Sequence, residues 1–333
     1  MRHQSLVITL AALSLVNGSA ALAQTSDVQL DAARPKITTV SAMRVRRAPQ
    51  VAAEEVTRLK LGTVVSAVAR SSEQDTVGGK TDYWYRVRLP SGGDGWLYGG
   101  LLLDYDPGLR QKLQRQIIEA RLKAENTDFK DREELYDFTS GAVAEAKDGN
   151  VRAEFELLKL LALAKWAASV PDDQRDKSPY REWLKVHHTE VIRNEFGGGY
   201  DLRTELFWNL EAKYHTLKIA DRIAWEATEN EEPTDCESDE VCAFLNWGDR
   251  QIRYLSLHPN GTHAGEVVQS LTELLTDDVI SAANSKGGDR YGAEARADLR
   301  KSLAPLRLVL PKTSAPGKTE LLRKLEKVKP ATR

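Results

Sequence analysis

Trp84-Tyr85-Arg86-Val87-Arg88-Leu89 alternates large and charged side chains, and Pro90-Ser91-Gly92-Gly93-Asp94-Gly95 interrupts it before Trp96-Leu97-Tyr98 resumes. Period-two alternation closed by a cluster of Pro, Gly and Asp reads as strand, turn and strand. Upstream, Ile37, Val40, Met43 and Val45 form a short run ending at Ala48-Pro49, and Leu59 to Val68 forms another beside Gly62. Short strands with turn signals this close together predict a small barrel or sandwich over residues 35–105. A barrel of about seventy residues buries only around 60% of the surface its unfolded chain exposes, so each large aromatic counts heavily toward stability. The expectation is that one of Trp84 and Trp96 is core and the other partly exposed. Tyr83, Trp84 and Tyr98 are then candidates to line a groove for peptide or glycan, because aromatics supply contact area at low entropy cost. The plainer alternative is that all of them are packing residues.

The blocks Met43-Arg44-Val45-Arg46-Arg47-Ala48-Pro49, Leu59-Lys60-Leu61-Gly62-Thr63, Tyr83-Trp84-Tyr85-Arg86-Val87 and Gly95-Trp96-Leu97 follow one another in an order and spacing that resembles the bacterial SH3-like (SH3b) family. The resemblance implies a barrel filled by Val45, Leu59, Val64, Val87 and Trp96, with Gly62 and Gly95 at turns. It also implies a module that binds cell-wall peptide or other proteins. Arg44 and Arg46, expected to be exposed, join the aromatics as candidate ligand contacts. Two features depart from the family pattern: the connection from Ser71 to Asp82 is longer than in its shortest members, and Arg47-Ala48 replaces a Ser-Gly pair before the proline.

The chain has 333 residues, with 47 Lys and Arg against 49 Asp and Glu for a net charge of −2. Near-neutral charge argues against a dedicated nucleic-acid binder, and two cysteines are too few for a disulfide-built scaffold or a four-cysteine zinc module. Arg2 and His3 precede an apolar run from Leu6 to Val16, broken by Asn17-Gly18-Ser19 and followed by Ala21-Leu22-Ala23. That is the plan of a secretory signal peptide over residues 1–23, cleaved near Ala23, and the run is short of the ~20 residues a membrane-spanning helix needs. A polar linker over 24–34 is expected next. The mature chain is expected to lack a transmembrane segment and to be periplasmic or secreted from a bacterium.

After Pro107 the pattern turns helical. Leu109, Leu113, Ile117 and Leu122 stripe one segment, and Leu135, Phe138, Val143 and Ala146 stripe a second that Gly149-Asn150 would close. Over Val151 to Val170 apolar residues cover most of the circumference, leaving Arg152, Glu156 and Lys159 as the polar stripe, which predicts a helix central to a bundle. Ser178-Pro179 reads as a cap and first helical position, Asp201 to Thr228 as one helix of about 40 Å, and Thr262 as the cap of the second helix of a pair. Glu294 to Leu310 is expected to be the last core helix. The fold class expected is α+β: an SH3-like barrel followed by an all-helical domain over 107–310, as a bundle or stacked helical hairpins, then a basic tail over 311–333, read as solvated, holding one short helix from Lys318 to Val328.

Cys236 and Cys242 lie so close that a single structural disulfide is expected in an oxidising compartment. Around them Glu226, Glu229, Glu231, Glu232, Asp235, Glu237, Asp239 and Glu240 make an acidic loop, read as solvated, with Ca²⁺ binding the alternative. No Walker loop, Rossmann fingerprint, Gly-x-Ser-x-Gly elbow or His-Glu-x-x-His motif occurs. His187, His188, Glu190 and Glu195 are the residues whose convergence would signal an enzyme, while His215, His258 and His263 read as surface or capping histidines. The function expected is a non-enzymatic binding or scaffold protein of the cell envelope, with peptidoglycan or an envelope protein as partner and no cofactor or metal. The alternative is a cell-wall hydrolase with its site in the helices and the barrel as targeting module.

Overall fold

The computed structural model describes residues 27–329 apart from 126, 231, 233 and 288–290, so the expected signal peptide and its cleavage point lie outside the described residues. Seven strands come first: β1 (Val28–Thr38), β2 (Met43–Arg46), β3 (Glu55–Leu59), β4 (Val64–Val77), β5 (Lys80–Arg88), β6 (Asp94–Tyr98) and β7 (Leu102–Asp104). They form one antiparallel sheet in the order β3-β2-β6-β5-β4-β1-β7. Residues 28–34, expected as linker, are instead the exposed half of β1. Val28 pairs with Arg70 and Gln29 with Ala69, so ladder hydrogen bonds rather than burial hold this segment.

Alternation along the strands puts Met43, Val45, Val65, Ala67, Val87 and Leu97 inside. Val65 takes the interior place expected of Val64. A one-residue difference in register moves a side chain to the other face, and Val64 accordingly packs outward against the helices. Gly62 has φ of +75°, as its turn assignment requires. Gly95 is not a turn residue. It sits within β6, and a Cβ there would lie 2.2 Å from Val45 Cγ1, so glycine is needed for close approach.

The helices are α1 (Arg110–Leu122), α2 (Phe129–Glu145), α3 (Gly149–Ala167), α4 (Tyr180–His187), α5 (Glu205–Tyr214), α6 (Ile219–Glu229), α7 (Glu240–Ala243), α8 (Asp249–Leu257), α9 (Ala264–Leu274), α10 (Asp277–Asn284), α11 (Ala293–Val309) and α12 (Lys318–Glu326). As its sequence predicts, α3 is central. Its Phe155, Leu157, Leu158, Ala162 and Leu163 are buried, and α1, α2, α5 and α6 pack around it.

Several local expectations are corrected. Gly149 opens α3 rather than closing α2, because the Asp148 carboxylate accepts from the Asn150 and Val151 N–H groups as an N-cap. Ser178-Pro179 precedes α4 without a side-chain cap on its first turn, and the helix proper begins at Tyr180. The 40 Å helix is a hairpin: the chain turns at residues 215–218, with Leu217 N–H donating to Tyr214 C=O. Folding back lets Phe207 and Trp208 of α5 and Ile223, Ala224 and Ala227 of α6 share one core, which a straight rod could not do. Thr262 does not cap α9; its N–H and hydroxyl both donate to Asp221 of α6, tying the α8–α9 turn to that helix. The second part is not purely helical either. Strands β8 (Val191–Arg193) and β9 (Tyr200–Leu202) pair across the Gly197-Gly198-Gly199 break. The basic tail is not solvated along its length: α12 forms close to where expected, but its Leu321 and Leu325 and the following Val328 are buried in the helical core.

Barrel and helices share apolar packing. Ile37 and Leu61 at the barrel base join Ile117 and Ile118 of α1, Leu135 of α2 and Phe155 of α3 in one cluster, each fully buried large side chain contributing roughly 1.5–3 kcal/mol. Glu134 of α2 reinforces the junction by accepting from the Leu61 N–H at 2.7 Å and the Ala42 N–H at 3.2 Å. Among the described residues no helix is long and apolar enough to cross a membrane.

Candidate ligand-binding surface

On β2, β3 and the loop between them the barrel presents a set of charged side chains to solvent. Arg44 and Arg58 are register partners across the two strands, and Glu55 lies between their guanidinium groups. Glu55 accepts from Arg58 Nε at 2.7 Å and stands 3.4 Å from Arg44 Nε. Hydrogen bonding from Arg58 therefore holds the Glu55 carboxyl below its ordinary range. Arg47 and Glu54 pair in a two-pronged contact at 2.7 and 3.2 Å, which lowers the Glu54 carboxyl in the same way. Arg46 behaves differently: half-buried, it donates to the Ala53 carbonyl at 2.9 Å and braces the loop. Arg44, its side chain 57% exposed and engaged only at 3.4 Å, retains the donors with which guanidinium groups recognise carboxylates.

The aromatic candidates lie elsewhere. Trp84 is 4% exposed, Trp96 6% and Tyr98 3%, so neither tryptophan is the partly exposed one expected, and neither Trp84 nor Tyr98 offers a ring face to a ligand. The cause is the long Ser71–Asp82 connection. It is a continuation of the β4–β5 hairpin, pairing Gln74 with Tyr83 down to Val77 with Lys80, and it turns at Gly78-Gly79 with φ of +59° and +77°. Trp84 Nε1 donates to Asp75 Oδ2 at 3.1 Å, and the Tyr98 hydroxyl reaches the Asp75 carbonyl at 2.9 Å and the Lys80 carbonyl. Trp84 and Tyr98 meet edge to face at 5.4 Å, with Val77 packed against their cluster. These rings hold the hairpin down. Tyr83 is half-buried, with the Arg70 guanidinium 3.9 Å above its ring. The signal that could have found this is the Gly78-Gly79 pair inside the connection, flanked by residues that can pair.

In the helical part the structure brings together only two of the four residues whose convergence was in question. His187 Nδ1 meets Glu190 Oε2 at 2.6 Å. His188 is exposed, with its Nδ1 at the Lys185 carbonyl, and Glu195 lies exposed on the β8–β9 turn. His215 faces its own helix end at Ala212 C=O, His258 meets the buried Glu211 at 3.1 Å, and His263 stacks on Trp225 at 4.1 Å. Cys236 and Cys242 are joined at disulfide distance, their Cα atoms 5.4 Å apart, and Asp239 between them caps α7 through the Val241 and Cys242 N–H groups. Among the described residues no group of three or more His, Cys, Asp or Glu side chains is arranged to hold a metal ion.

Strand order, the Gly62 turn and the β5–β6 pairing describe the barrel, and against known families residues 41–102 match the bacterial SH3 domain. This segment is a bacterial SH3 domain. The SH3 match ends at Leu102 and starts after β1, so that strand is an addition to the matched region, and no family match covers the helices. No curated protein and no solved structure matches the chain.

Proposed function

We propose that the protein is an exported, non-enzymatic binding or scaffold protein of the bacterial cell envelope, whose SH3 domain engages cell-wall peptide or an envelope protein. The observation that carries the reading is a recognisable SH3 domain seated by a shared apolar core on a large helical body, so that a ligand held by the barrel is held rigidly with respect to the helices. Near-neutral charge supports a peptide or protein ligand over nucleic acid. The Cys236–Cys242 pair and the sequence pattern of residues 1–23 support an oxidising, exported location. Within the barrel, the exposed Arg44 beside Glu55 is the group best placed to take a ligand carboxylate, with Arg46 setting the shape of the neighbouring loop.

The experiment is retention on isolated sacculi. Arg44→Ala is expected to weaken retention several-fold and Arg46→Ala to weaken it through the loop, whereas Trp84→Phe acts on stability instead. Unchanged retention of both arginine variants would remove the β2–β3 face from the account. The hydrolase reading has one observation in its favour, the 2.6 Å contact of His187 with Glu190, and release of soluble wall fragments by the wild-type protein is the outcome that would favour it.

A further inference from the structure

Between α2, α3 and α5 lies a groove of about 360 Å³ with a leucine floor that includes Leu160, Leu206 and Leu210, and Tyr136 forms one wall. Its lining carries both signs of charge. Lys213 Nζ is paired with Glu156 at 2.6 Å. Lys159, on the polar stripe of the central helix, has its ammonium 5.0 Å from the Tyr136 ring centroid and no carboxylate partner among the described residues. Glu190, in the same lining, is held through Oε2 by His187 Nδ1, while its Oε1 has no partner among the described residues. His187 is itself fixed. It is 8% exposed and packed against Trp183 at 4.7 Å, Trp166 at 5.5 Å and Tyr136 at 6.1 Å between ring centroids. The groove therefore offers an ammonium without a carboxylate partner and a positioned carboxylate oxygen in a lining shared with Tyr136 and the leucines.

A lining with balanced charges favours neither a net anion nor a net cation; it complements a ligand that carries one of each. We propose that this groove is a binding site for a short zwitterionic peptide with an apolar side chain, its terminal carboxylate at Lys159, its terminal ammonium at Glu190 and its side chain on the leucine floor. A volume of about 360 Å³ is at the small end of ligand sites, which suits a ligand as small as a dipeptide. This site is separate from the SH3 domain and stands whether or not the barrel binds the wall.

The test is titration calorimetry of the purified protein with L-leucyl-L-alanine, its N-acetyl and C-amide derivatives, and glycylglycine. Saturable one-to-one binding of leucyl-alanine is expected, weakened at least tenfold by capping either end and by loss of the leucine side chain. Lys159→Met and Glu190→Gln are each expected to weaken leucyl-alanine tenfold. N-acetylation should cost little further in Glu190→Gln, and amidation little further in Lys159→Met, a pattern that general unfolding would not produce. Lys159→Met keeps the stem of a half-buried side chain, and an unchanged melting temperature confirms that this variant is folded. No saturable binding of leucyl-alanine at millimolar concentration, or equal binding of a peptide capped at both ends, would overturn the proposal.

Discussion

Gly62 tests whether the barrel and the helices are one packed unit. Its φ of +75° is the left-handed region, where an L side chain costs roughly 1–2 kcal/mol. Its missing Cβ also makes room for α2: a Cβ there would stand 2.1 Å from Phe138 Cε2 and 2.6 Å from Cδ2. Phe138 is half-buried, so in Gly62→Ala its ring swings toward solvent and forfeits part of its contact with the junction cluster, about 1–2 kcal/mol of the roughly 1.5–3 that full burial of such a side chain provides. Gly62→Ala should therefore cost about 2–4 kcal/mol by denaturant unfolding. In a Phe138→Ala background only the backbone component remains, about 1–2 kcal/mol, leaving a coupling of about 1–2 kcal/mol in the double-mutant cycle. Additivity of the two substitutions within about 0.5 kcal/mol would refute the claim that this turn and α2 are in contact in solution.

Three further outcomes follow from separate parts of the molecule. Burial raises the Glu226 carboxyl above its ordinary range, an effect to which Glu229 adds and which Arg222 and His263 oppose; its charged form thus disfavours the fold above that raised value. Glu226→Gln should melt higher than wild type at pH 7.5, with the difference shrinking as pH falls through the carboxylate range and the wild-type group takes up its proton; an equal difference at pH 4 and 7.5 would contradict this. Reduction of Cys236–Cys242, which are separated by 6 positions, should lower stability by about 2 kcal/mol in the chain-entropy account, measured as paired melts with and without reductant. Tyr98→Phe removes the hydroxyl that reaches the Asp75 and Lys80 carbonyls, at a cost of about 1–2 kcal/mol, and should speed proteolytic nicking near Gly78-Gly79; unchanged nicking would show that the hairpin is held by its ladder alone.

What was legible in the sequence was whatever local periodicity and turn chemistry encode. The β5–β6 alternation, the all-round apolar α3 and the paired cysteines each signal their structure within a few neighbouring residues. The errors came where distant contacts decide. Whether Trp84 is exposed depends on a hairpin anchored through Asp75, and the face taken by Val64 or Val65 depends on a register shared with β1. The turn at residues 215–218 carries no proline or glycine; the gain from packing α5 against α6 overrides a helical pattern that runs straight through it. Likewise α12 looked like a solvated basic helix because its lysines are conspicuous, while Leu321 and Leu325 only acquire meaning once α9 is beside them. For the site, residue type pointed to arginines and aromatics together. Tertiary structure separates them, leaving Arg44 at the surface and the aromatics as supports. The groove that joins Lys159 to Glu190 draws on α2, α3, α5 and the segment after α4, a combination no sequence period announces.

The central claim is tested most directly by incubating the protein from Gln24 onward with purified sacculi, in parallel with periplasmic extract, and assaying both the bound protein and the soluble wall fragments. Retention on sacculi or capture of a defined envelope protein, without fragment release, is the predicted result. Release of soluble fragments, or absence of both retention and capture, would contradict a non-enzymatic binding role.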